Sequence, residues 1–344
     1  MRILVTGATG YLGGRLVPML VEAGHEVVCL ARTPEKLDGL PWRGDVEVVQ
    51  GDVLDAGGLK DAAAGCDAAY YLVHSMASGK EFAEEDRSAA ANFRDAADAA
   101  GMRRIVYLGG LGPEGEDLSP HLASRHEVGS VLASGETPVT ELRAAVIIGS
   151  GSLSFEMLRY LTEVLPVMTT PRWVRTRCQP IAVEDVLDLL VQAIGDDGES
   201  RVVEVGGPDV LTYQEMMAVY AEEAGLRKRL IIPVPVLTPG LSSLWVGLVT
   251  PLPPSVARPL VESLRHEVVV NDPAPMEAMG IDPAPYREAV RRALATLAAG
   301  AETRWSDASS SPAHPVAGDP KWSGGTVFED RRVVPTDALP HHMY

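Results

Sequence analysis

Gly7, Gly10 and Gly13, each three residues from the next, are the first residues in this chain whose type and spacing suggest chemistry. They belong to Thr6-Gly7-Ala8-Thr9-Gly10-Tyr11-Leu12-Gly13, which follows an apolar run at residues 3–5. A helical pattern comes next, carried by Leu16, Met19, Leu20 and Val21. In a strand–turn–helix context such glycines hold a phosphate. Gly7 allows the tight turn and Gly10 lets the backbone approach a pyrophosphate. Gly13 lets the helix pack on the strand, so that free N–H groups at the helix start face the anion. The same letters also fit a glycine-rich turn between buried elements with no ligand.

Dinucleotide-binding folds place an acid at the end of the second strand to hold the adenine ribose. Here residues 25–31 read as that strand, and Arg32 and Thr33 follow it, with Lys36 close behind. A cation there suits a 2′-phosphate, so NADP(H) is expected in preference to NAD(H). The alternative is a solvated surface arginine. Residues 46–50 read as a third strand, followed by Asp52 and Val53. An Asp after a strand is also ordinary turn chemistry.

Thr6-Gly7-Ala8-Thr9-Gly10-Tyr11-Leu12-Gly13 resembles the TGxxGxxG motif of the extended short-chain dehydrogenase/reductases and matches it at every fixed position. The run Tyr70-Tyr71-Leu72-Val73-His74-Ser75-Met76 resembles an atypical, NmrA-like bacterial subgroup that often carries an additional C-terminal domain of unknown function. The resemblance implies a doubly wound NAD(P)-binding domain and a smaller C-terminal substrate lobe. It implies contacts to the cofactor from the glycine turn, from Asp52 and Val53 at the adenine, and from Val73, His74 and Ser75. Asn92 stands where extended members often have an Asn.

The catalytic set departs from the family. The strand at residues 104–108 is followed by Gly109 and Gly110 where a catalytic Ser is usual. In place of the Tyr-x-x-x-Lys pair stand His121 and Arg125, four residues apart and so on one helical face. Hydride transfer to a carbonyl needs a proton donor beside the developing alkoxide. His121 is the candidate donor at neutral pH. Arg125 can bond the nicotinamide ribose but, as a permanent cation, cannot relay a proton. Alternatively, both line a cofactor cleft with no catalytic step, and His74 is a hydrogen-bonded structural histidine. The resemblance therefore supports two functions: an oxidoreductase on a small apolar organic substrate, or a cofactor-binding sensor or assembly factor without turnover. The family includes a nitrogen-metabolism regulator and an accessory subunit of respiratory complex I.

The elements that must position these groups follow an α/β order. Residues 66–76 read as a fourth strand ending in His74 and Ser75, residues 78–100 as an Ala-rich helix, and residues 138–149 as a sixth strand and its exit. Residues 1–150 are expected to form the NADP(H)-binding Rossmann core, and residues 151–300 the remaining core elements plus a small discontinuous substrate lobe. Residues 301–344, rich in Ser, Pro, Asp and Gly, read as a mostly irregular tail. Thr212 with Glu215 fits a capping box at the start of a helix. Met168, Trp173 and Trp245 fit either a hydrophobic pocket or core packing.

Composition limits the partners. The chain has 344 residues, 46% of them apolar, enough for a sizeable core. A net charge of −17 argues against general nucleic-acid binding. Cys29, Cys66 and Cys178 lack paired spacing, so neither a disulfide framework nor a metal site is expected, and a reducing cytoplasm fits. Met1 leads directly into the first strand, so no signal peptide is expected. No apolar run reaches the roughly 18 residues of a membrane span. Residues 241–260, apolar but broken by Pro251, Pro253 and Pro254, are expected to cover the substrate, with peripheral membrane contact as the alternative. The working state is expected to be a monomer or homodimer.

Overall fold

The computed structural model describes residues 1–73, 80–113, 118–170, 172–233 and 266–298. The expectations placed on His74, Ser75, Trp245, residues 241–260 and the tail at 301–344 lie outside them, as does the side chain of Trp173. A seven-stranded parallel sheet runs through the molecule. Its strands are β1 (Arg2–Thr6), β2 (Glu26–Ala31), β3 (Glu47–Gln50), β4 (Ala68–Tyr71), β5 (Ile105–Gly110), β6 (Val139–Ala144) and β11 (Arg201–Val205). Their spatial order is β11-β6-β5-β4-β1-β2-β3. The chain therefore winds outward from β1 to β3, crosses back to β4, and winds the other way. The point of reversal, between β1 and β4, is where such sheets bind ligands at the carboxyl ends of their strands.

The central strands β1, β4 and β5 are buried on both faces, as parallel strands under helices must be, while the edge strands β3 and β11 are partly exposed. Side chains alternate between faces with the pleat. Ile3, Val5, Val27, Cys29, Tyr70 and Val106 enter one core cluster. Their neighbours Leu4, Val28, Tyr71, Ile105 and Tyr107 enter another, together with Cys66. Helix α1 (Gly13–Glu22) covers the first face with Leu16, Val17 and Leu20. It is joined there by α6 (Val183–Ala193) through Val186, Leu189 and Leu190. Helices α2 (Ala56–Ala63), α3 (Lys80–Ala100) and α4 (Pro120–Leu132) cover the second face, with Leu59, Phe93 and Leu132 in its core.

A third cluster builds the second lobe. Helices α5 (Leu153–Val164), α7 (Tyr213–Glu223) and α9 (Tyr286–Ala298) pack Phe155, Leu158, Leu161, Met216, Tyr220 and Tyr286 together with Cys178. Met168, only 1% exposed, lies in this core, so of its two expected uses it serves packing. Between these pieces the chain returns to the sheet through α6 and β11, which makes the lobe discontinuous. The exit of β6 holds a short strand, β7 (Ile147–Ile148), paired in parallel with β10 (Ile181–Ala182). The capping box at the start of α7 is present, with Glu215 N donating to Thr212 Oγ1 and Thr212 N donating to the Glu215 carboxylate.

Candidate cofactor site

The glycine turn leaves β1 at the centre of the sheet. Thr6 Oγ1 donates to Tyr70 O across to β4 at 3.1 Å and fixes the end of the strand. Gly7 has φ +80°, a left-handed conformation, and a Cβ there would lie 2.6 Å from Leu72 O. Gly10 N donates to Gly7 O at 2.8 Å and closes the turn. A Cβ at Gly13 would collide with Gly7 O, so this glycine sets how close α1 stands to the turn. Gly10 differs, because the nearest atom to a Cβ there is Gly7 O at 3.1 Å, a crowding that a small shift relieves. The chain's own packing forces glycine at positions 7 and 13 more than at position 10. Ala8 is buried, while Thr9, Tyr11 and Leu12 are half-buried along the turn. Leu12 occupies the N-cap of α1 without a side-chain cap, and the first helical turn holds no acidic residue. Such a helix start accepts an anion.

At the end of β2, Arg32 is exposed, as is Lys36. Asp52 Oδ1 accepts from Leu54 N at 3.0 Å, so its carboxylate shapes its own turn. Asn92 Nδ2 donates to Val53 O at 3.1 Å and Leu54 O at 3.2 Å, tying α3 to this loop. Val53 and Val73 are half-buried and pack at the edge of the second core cluster.

The glycines after β5 serve packing. A Cβ at Gly109 would lie 2.6 Å from Glu141 Oε1, and one at Gly110 would lie 2.8 Å from Leu122 Cδ1 and 3.2 Å from Arg125 Cδ. A Ser in this position would meet the buried Glu141 carboxylate, which Arg143 Nε engages at 2.8 Å. Helix α4 thus lies directly on the strand end. His126, not anticipated from the sequence, meets Gly110 O through Nε2 at 3.0 Å, and Tyr107 Oη donates to Arg125 O at 3.1 Å. His121 and Arg125 are half-buried on one side of α4 and interact electrostatically. Burial, and then the Arg125 charge, push the His121 imidazole down to about 3. The ring is therefore neutral at pH 7 and offers an N–H to hydrogen-bond rather than an imidazolium proton. Arg125 Nε is buried and has no hydrogen-bond partner among the described residues, a donor suited to a ligand oxygen.

A dinucleotide fits these residues. Beside Gly10 the turn is open except for Gly7 O, α1 begins without an acid, and a buried guanidinium donor stands by the β5 exit. Residues 7–158 match the NAD(P)H-binding domain family. The chain has a Rossmann fold, and its first half is similar to NAD(P)H-binding domains. A relative of this Rossmann protein is the (4-alkanoyl-5-oxo-2,5-dihydrofuran-3-yl)methyl phosphate reductase of Streptomyces griseus subsp. griseus. It is 29% identical over 273 residues, which span 77% of this chain and 86% of that protein. Another is NADH dehydrogenase (ubiquinone) 1 alpha subcomplex subunit 9, mitochondrial, of Arabidopsis thaliana, 26% identical over 224 residues. There the match covers 62% of this chain and 56% of that protein. The Bordetella bronchiseptica enzyme WbmG, solved in complex with NAD and UDP, superposes with a TM-score of 0.67 over 88% of this chain and 97% of its own, at 18% identity. Among the described residues no helix is long and apolar enough to cross a membrane, and no cluster of acidic, His or Cys side chains is placed to hold a metal.

Three residues around the turn and the β5 exit were not read from sequence: Arg15, His126 and Ser150. Arg15 Nη1 donates to Tyr11 O at 3.1 Å, Nη2 donates to Ser150 O at 3.0 Å, and the guanidinium lies 4.0 Å from the Tyr11 ring centroid. Arg15 is two residues past the last glycine of the motif, a position that invited inspection. Ser150 had no such signal.

Proposed function

We propose that this chain is an NADPH-dependent reductase of a small apolar organic molecule. Residues 1–150 bind the cofactor, and residues 151–300 add the remaining core elements and the substrate lobe. The observation that carries this reading is the glycine turn at the point where the sheet reverses, with α1 uncapped and free of acids behind it. Arg32, exposed where an acid would favour NAD(H), supports the choice of NADPH. The Streptomyces relative, a reductase, supports the reaction class. When bound, the cofactor supplies the hydride, and the protein supplies its orientation. In this reading the N–H groups of the turn hold the pyrophosphate, Arg32 meets the 2′-phosphate and Arg125 meets the nicotinamide ribose. His121, neutral at pH 7, offers a hydrogen bond rather than an acid.

A second reading, a sensor or assembly factor that binds NADP(H) without turnover, is favoured by the β5–α4 geometry. Packing occupies the space of the family's Ser, and His121, held neutral by its burial, is not an imidazolium acid. NADPH consumption by the purified chain, measured with a panel of quinones, enones and ketones, separates the two. Turnover with one class supports the reductase, and tight binding with no turnover supports the sensor. Fluorescence titration tests cofactor choice. NADPH is expected to bind at least tenfold more tightly than NADH, about 1.4 kcal/mol, and Arg32→Ala is expected to abolish the difference. Equal affinities for the unaltered chain would remove Arg32 from the site.

A further inference from the structure

The loop after β7 is built more firmly than its place in the chain requires. Ser152 N donates to Gly149 O at 3.0 Å, and Gly151 has φ +84°, so residues 149–152 form a turn of type II with Ser150 at its corner. Two charged side chains brace it, the half-buried Arg15 and the buried Glu156. Arg15, on the first turn of α1, holds Ser150 O while also holding Tyr11 O in the glycine turn. On the other side, Gly151 N donates to Glu156 Oε1 at 3.2 Å. Glu156 is 1% exposed and is itself held by Arg159 Nε at 2.8 Å. A buried ion pair is a costly way to hold one loop amide, and it makes sense where a position must be kept precise.

The side chain at this corner is unsatisfied. Ser150 is 4% exposed, and its Oγ is buried with no hydrogen-bond partner among the described residues. An unpaired buried hydroxyl is destabilising, and this one stands one arginine away from the glycine turn. We propose that Ser150 is a cofactor-binding residue whose hydroxyl donates to a pyrophosphate oxygen of the bound dinucleotide, in a turn held by Arg15 and Glu156. The Tyr11 side chain stands against this turn, because a Cβ on Gly149 would collide with its hydroxyl. Tyr11 belongs to the glycine turn, so a shift of its ring on cofactor docking would open Ser150 to the phosphate. Rotamer changes of this size are common when a ligand docks. The inference rests on NAD(P)H binding alone, and holds whether or not the chain turns over a substrate.

The test is Ser150→Ala in the full chain, read by affinity and by melting. NADPH and NADH are expected to weaken together, roughly tenfold or more, as for loss of a hydrogen bond to a charged group. Adenosine 2′,5′-bisphosphate, which has no pyrophosphate, is expected to bind as before. The ligand-free variant is expected to melt no lower than the parent, because the substitution removes an unpaired polar group. Unchanged dinucleotide affinity, an equal loss for the bisphosphate, or a lower melting temperature would each overturn the proposal.

Discussion

His121 shows how surroundings set what a single side chain can do. Its ordinary range suits acid–base work near neutrality, but here it is half-buried beside a permanent cation and pushed down from 6.5 to about 3. Between those two values the unfolded chain binds a proton that the folded chain refuses. Stability from this group is therefore intact above about pH 6.5 and drains away as the pH falls toward 3. Melting temperatures at pH 7.5 and pH 5 provide the check. The parent is expected to lose more on acidification than His121→Gln does, and identical losses would show that the imidazole is not held neutral by the fold. His25, shifted down chiefly by its own burial, contributes in the same direction to both proteins and cancels in the comparison.

At the scale of elements, β1, its turn and α1 act as one unit, and the three glycines divide the work unequally. Gly13→Val forces a side chain into Gly7 O and is expected to cost 1–3 kcal/mol or more of stability, as overpacking does. Gly10→Val meets far less of the chain's own structure, so it is expected to keep its circular dichroism spectrum and cooperative melting while losing NADPH binding. A Gly10→Val protein that binds normally would place the phosphate elsewhere. This unit was legible in the sequence because its glycines are fixed by covalent spacing and flanked by a strand and a helix of clear period. The capping box of α7 was legible for the same reason. The brace around Ser150 was not, since Arg15 and Ser150 lie 135 residues apart and meet only when α1 packs beside the β7 exit. Nor was the role of Gly109 and Gly110. Their letters signalled a missing Ser, but not the Glu141 carboxylate and the α4 side chains that fill its space.

At the scale of the whole molecule, the doubly wound order was readable from the alternation of apolar runs and helical patterns. The path by which the chain leaves the sheet for the second lobe and returns was read only in outline. Arg104 shows what sequence leaves out. It is fully buried at the head of β5, and its guanidinium bonds the carbonyls of Asp196, Gly198 and Glu199, tying in the loop that delivers β11 to the sheet edge.

The placing of the three cysteines has a practical consequence. All are buried, and each belongs to a different core: Cys29 to the face under α1 and α6, Cys66 to the opposite face, Cys178 to the second lobe. Burial also raises the Cys66 thiol and pushes the Cys178 thiol up to about 12, so neither offers a ready thiolate. A thiol reagent applied to the native protein is expected to label none of them quickly, and each rate then times the opening of one compartment. Mass spectrometry of the labelled peptides reads the three clocks separately. NADPH is expected to slow the Cys29 clock most, since that layer carries the cofactor turn. A cofactor that slowed only Cys178 would mean that the second lobe, rather than the nucleotide-binding layer, is what the ligand holds shut.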